Sequence, residues 1–182
     1  MMTLYKKGFL ISSEKEIVPY FFFEKDENST YNIDVLSQIN LISYNRSQIK
    51  LLIDNVMRVK DDFHVEFETS TNMVIFKIFE NNVIITDYIF DSPDITISID
   101  SFLQIIEDKN KFITDLNDDI ILQKIKNALM NIKKNPIWKE GKGFNIIDDE
   151  NLFYMFAITQ YEMDKIDVEK YISTLRFIPV CP

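Results

Sequence analysis

The sequence predicts an α+β fold, an antiparallel β-meander sheet packed with several α-helices, and three observations carry that expectation. Between Phe63 and Asp100 apolar residues recur at every second position, the period of strands that turn one face to a core. On both sides of that block they recur at intervals of three and four, the period of amphipathic helices. The chain has 182 residues, 46% of them apolar and including fifteen Phe and eight Tyr. That is enough apolar surface to offset the ordering entropy of a packed core. Length alone gives no reason to divide the chain, so residues 1–182 are expected to form a single α+β domain.

In chain order, Thr3 to Ile11 and Glu16 to Phe23 read as two short strands, the second placed at an edge because it contains Pro19. A polar stretch, Glu24 to Thr30, supplies a loop. Ile33, Leu36, Ile39 and then Ile49, Leu52, Ile53, Val56, Met57 mark one helix, or two joined near Ser43 to Arg46, with Asn45 or Ser47 capping the second. Next comes the meander. Phe63, Val65 and Phe67 face one way and His64, Glu66 and Glu68 the other; Met73 to Phe79 and Val83 to Phe90 follow, joined by a turn at Glu80 to Asn82. A Ser92–Pro93 turn then leads to Ile95, Ile97 and Ile99, which alternate with Asp94, Thr96, Ser98 and Asp100. The two middle strands are apolar on both faces and belong inside the sheet. Helices resume over Ser101 to Asp108, capped by Ser98 or Asp100, and again from Asp118 or Asp119 through Ile121, Ile125, Leu129 and Ile132 to a stop at Asn135–Pro136. Lys139 to Gly143 is a glycine-containing loop. Asn151 to Thr159 reads as a mostly buried helix, ambiguous with a strand, and Asp167 to Phe177 as an amphipathic helix.

Charge is distributed unevenly over this plan. Residues 61–119 hold fourteen Asp and Glu against three Lys, whereas the whole chain has a formal charge of −9. An acidic total disfavours a nucleic-acid binder that depends on general electrostatics. One basic stretch, six lysines between Lys124 and Lys142 with Trp138 nearby, is accounted for by cations that complement the carbonyl end of a helix at Lys133 and Lys134. The single cysteine, Cys181, can form no internal disulfide; Met1 to Ile11 lacks the apolar run and small-residue cleavage site expected of a signal peptide, and no apolar run reaches membrane-spanning length. A cytoplasmic protein without membrane contact is the expectation.

Most catalytic chemistries lack their residues. With one histidine, two-imidazole mechanisms are excluded; Asp61, Asp62 and His64 do not share one strand face and so make a poor metal set. Gly141, Lys142 and Gly143 are followed by Phe144 where a phosphate loop needs Ser or Thr. No Gly-x-Ser-x-Gly elbow occurs. Asp118–Asp119 and Asp148–Asp149 are each read at a helix start, where carboxylates accept backbone N–H bonds. No cofactor, catalytic residue or metal is therefore expected. What capping does not explain is the strand-borne acid: His64, Glu66, Glu68, Asp94 and Asp100, with Asp87 and Asp91 near the neighbouring turn, form a candidate partner-binding face with no interleaved lysine.

The meander followed by Ser98, Ile99, Asp100, Ser101, Phe102 and Leu103 at the start of a helix resembles small bacterial immunity proteins that neutralise polymorphic or contact-dependent toxins. The resemblance covers residues 63–107 and rests on pattern. It implies a non-enzymatic cytoplasmic protein that binds a cognate toxin domain, often a basic nuclease, and occludes its active site; it transfers no individual residue. Two alternatives have other starting points. One is a metal-dependent hydrolase centred on Asp148, Asp149 and Glu150, and the other a structural or adaptor subunit with apolar covering faces.

Overall fold

The computed structural model describes residues 5–23, 33–42, 46–62, 65–89, 93–134, 139–141, 144–149, 152–158 and 160–177. Strands β1 (Tyr5–Ile11) and β2 (Glu16–Phe23) open the chain. Helix α1 (Ile33–Leu36) runs into a 3-10 turn at Ser37–Leu41, and α2 (Arg46–Asp61) follows. Then come β3 (Phe67–Ser70), β4 (Val74–Ile78), β5 (Asn82–Asp87) and β6 (Ile95–Ser98), helices α3 (Ile99–Thr114) and α4 (Asp118–Lys134), and strands β7 (Lys139–Gly141), β8 (Phe144–Asp149) and β9 (Leu152–Phe156). Helices α5 (Gln160–Lys165) and α6 (Val168–Ile172) and strand β10 (Arg176–Phe177) end the described chain. The fold is α+β. Its described residues group into two compact units, one made of Tyr5 and those within Phe23–Thr114, the other of those within Lys6–Phe22 and Asp115–Pro179.

The first unit contains the expected meander, a four-stranded antiparallel sheet in the order β3-β4-β5-β6. Val74, Phe76, Ile78, Val83, Ile85, Ile95 and Ile97 point to its buried face. Helix α3 packs on that face, with Phe102 set 5.9 Å from Phe76 between ring centroids, and α2 packs on α3. Ile99, Phe102, Leu103, Ile105, Ile106 and Ile113 are the buried stripe of α3, the helical spacing read from the sequence. The helix begins two residues earlier than its apolar pattern suggested, because Ser98 supplies the cap: its Oγ accepts from Ser101 N at 3.1 Å. Asp100 therefore lies in the first turn of α3, not on a strand.

Strand β3 is also shorter than the alternation predicted. Val65 and Glu66 precede it without regular structure, and Phe63 and His64 lie outside the described residues. The middle strands β4 and β5 do lie inside the sheet, but their second face is half-exposed at Ile75 and Ile84, not covered on both sides. Ser47, a suggested cap, is the second residue of α2; Asn45 is outside the described residues.

The second unit contains a six-stranded sheet in the order β10-β2-β1-β9-β8-β7. It is mixed: β1 pairs with β9 and β2 with β10 in parallel, whereas β8 runs antiparallel to β7 and β9. The turn between β1 and β2 is closed by Lys15 N donating to Ser12 O at 3.0 Å, and it places Lys15 at a φ of 65°. Pro19 lies in β2 beyond the two residues that pair with β10. Phe9 and Tyr154, from adjacent strands, stack at 6.2 Å inside this unit.

The carboxy-terminal third corrects the sequence expectation. Leu152–Phe156 is a strand, and Asp167 to Phe177 divides into short α6, capped by Asp167 accepting from Lys170 N at 3.2 Å, and β10. Lys139–Gly141, read as loop, is β7. Asp148 and Asp149 lie in β8 opposite Phe153 and Leu152, so helix capping does not account for them. The cap of α4 is Asn117, whose Oδ1 accepts from Ile120 N at 3.1 Å, and Asp118 and Asp119 occupy the first turn behind it.

Candidate partner-binding site

The register of the meander decides what its outward face presents. Glu68 stands opposite Lys77, Lys77 opposite Ile84 and Ile84 opposite Thr96; the next row runs from Ser70 through Ile75 to Thr86. Neighbouring strands lie about 4.8 Å apart, so β3 and β6 are separated by roughly 14 Å. The face thus has an acidic margin at β3, where Glu68 is exposed on the strand and Glu66 just ahead of it, and another at Asp94, exposed just ahead of β6. Half-exposed Ile75, Ile84 and Thr86 form its middle together with exposed Lys77. Asp61 and Asp62, at and just after the end of α2, are exposed as well.

Three expectations change at this site. Asp87 is buried, at 5% exposure, because it follows Val83 and Ile85 on the core-facing side of β5; its Oδ1 accepts from Ile89 N at 2.9 Å and closes a local turn. It is not a surface group. Asp100 is exposed, but Lys60 Nζ donates to its Oδ1 at 2.6 Å, and this hydrogen bond is the main reason that the Lys60 ammonium is held above its ordinary pKa. Lys77 does interleave: it is exposed on the outward face directly across from Glu68. Strand alternation placed Lys77 opposite in face to Phe76 and Ile78 and Asp87 with Val83, so both signals were in the sequence. His64 and Asp91 lie outside the described residues.

A solvent-open depression of about 360 Å³ follows the β3 end of the sheet, lined by Glu66, Phe67, Glu68, Lys77, Ile78 and Phe79. Among the described residues no group of three or more His, Cys, Asp or Glu side chains is placed to hold a metal ion. The hydrolase alternative falls partly outside them, since Glu150 is not described and Asp148 and Asp149 are placed by their backbone alone. Among the described residues no helix is long and apolar enough to cross a membrane.

No protein-family model matches the chain, and neither a curated protein nor a solved structure is significantly similar to it.

Proposed function

We propose that the chain is a non-enzymatic binding module of the immunity type, which captures a basic toxin domain through the outward face of its antiparallel sheet and keeps that domain inactive in the cytoplasm. The observation that carries the proposal is the arrangement of that face: exposed Glu66, Glu68 and Asp94 border a centre of half-exposed Ile75 and Ile84 in which Lys77 is the one charged side chain among the described residues. Protein interfaces commonly combine an apolar centre with a charged rim. Acid at the rim steers a basic partner into encounter and rejects acidic ones, while the isoleucines supply apolar area that remains in contact. Nuclease domains that hold phosphate are basic for the same electrostatic reason.

Co-expression provides the test. A toxin gene is expected next to the gene for this chain, and a bacterial strain producing that toxin's domain is expected to grow normally when the chain is present and to stop when it is absent. Equal killing in both strains contradicts the proposal.

A further inference from the structure

We infer that the free edge of β3 is a pairing site for an extended, basic segment of the partner, which adds a fifth strand to the sheet; this deepens the binding role proposed above and rests on it. β3 is terminal in the order β3-β4-β5-β6, and among the described residues no strand pairs with its outer side. The hydrogen-bond phase of the sheet identifies which groups are offered there. Thr71 N donates to Val74 O at 2.9 Å, which makes Thr71 and Val74 a bonded pair. In an antiparallel ladder bonded pairs alternate with unbonded ones, so Thr69 and Phe67 direct their backbone groups to β4, whereas Glu68 and Ser70 direct theirs outward. The bond from Phe79 N to Asn82 O at 2.9 Å fixes the same phase on the other side of β4. An incoming strand would thus meet the N–H and C=O of Glu68 and Ser70.

The side chains select the occupant. Glu66 and Glu68 are exposed along this edge, and both line the depression beside it, with Phe67, Ile78 and Phe79 among its apolar walls. A second copy of β3 would set Glu68 opposite Glu68 in one antiparallel register and diagonal to it in the register that sets Glu68 opposite Ser70, and like charges so placed are what edge strands use to prevent self-association. A segment alternating Lys or Arg with apolar residues reverses that sign. It sets a cation beside Glu68 and offers an apolar side chain to the depression, while its backbone completes the ladder.

The test uses the full chain and a synthetic eight-residue peptide alternating Lys and Val, followed by amide hydrogen exchange and titration. The expected result is added protection at the amides of Glu68 and Ser70. N-methylation of alternate peptide amides, which keeps the charge but blocks one edge of the guest strand, is expected to weaken binding by at least about tenfold, and so is replacement of its Lys by Glu. Ser70→Pro, which removes one outward N–H without altering charge, should have a similar effect. Equal affinity for the methylated peptide, with the unmethylated one still bound, overturns strand addition while leaving an acidic binding face intact. Absence of any protection at millimolar peptide also overturns it, as does protection that rises with protein concentration alone, which would assign the edge to a second copy. Should the co-expression assay fail while the peptide pairs as described, the toxin assignment falls and the edge site stands.

Discussion

Lys109 shows how one side chain can set a pH response. It is 3% exposed within α3, and its amine donates to Asn40 O at 2.6 Å and Ile39 O at 3.4 Å, carbonyls of the 3-10 turn that α1 enters. The amine thus adds a donor to backbone carbonyls of that turn in a dry interior, where hydrogen bonds to buried polar groups count most. Burial disfavours the charged form, and the Lys109 pKa falls from 10.5 to about 7. Below that folded value both folded and unfolded chains carry the proton. Between it and the unfolded value only the unfolded chain does, so this group's contribution is largest above the unfolded pKa and is lost as pH falls through the folded one. Lys109→Met removes the ionisable group while retaining most of the buried stem. Urea unfolding at pH about 7 and about 9 is expected to show wild-type stability rising relative to that variant, by at most about 1.4 kcal/mol per pH unit. Parallel profiles would contradict the titration assigned to Lys109.

At the scale of elements, the meander was legible because each of its strands turns one face to the core, and alternation then marks both the strand and the face. Ile95 and Ile97 against Thr96 and Ser98 is the plainest case, since the first pair is buried and the second exposed. The same rule held Asp87 with Val83 and Ile85, although its charge drew attention to the surface instead. Boundaries were less legible: Ile99 continues the alternation of β6, but the Ser98 cap ends the strand and starts α3. The last third left helix and strand open over Asn151 to Thr159 for another reason. Leu152, Phe153, Tyr154, Met155 and Phe156 form a continuous apolar run that carries neither period, and their assignment depends on β1 pairing from far away in sequence. Gly8 marks that pairing. It stands opposite Phe153, and a Cβ placed on it would come within 1.9 Å of the Phe153 carbonyl oxygen, a backbone atom. Gly8→Ala is expected to lower unfolding stability by about 3 kcal/mol, because neither strand can yield without disturbing its ladder. A change below roughly 0.5 kcal/mol in a denaturant titration would show that β1 and β9 are not held together in this way.

Across the whole molecule, net charge is a poor guide to where a partner binds, and the fold resolves the acidic block of the sequence into groups with different roles. Asp118 and Asp119 complement the start of α4, Asp87 closes a turn from inside the core, and Asp100 is bound to Lys60. Glu66, Glu68 and Asp94 remain exposed on the margins of one sheet face, with Lys77 between them to limit the local field. Periodicity could separate inward from outward residues; it could not supply the cross-strand register that sets Lys77 beside Glu68, nor the contact between α2 and α3 that brings Lys60 to Asp100. The central claim is that this face steers and holds a basic partner. The most direct measurement is the association rate of the toxin domain used in the co-expression assay with the wild-type chain and with a Glu66→Lys, Glu68→Lys, Asp94→Lys variant, recorded over a range of salt after circular dichroism has confirmed that both are folded. The expected result is association slowed at least about tenfold in the variant at low salt, with a wild-type rate that falls steeply as salt rises. Equal rates at low salt would contradict the claim.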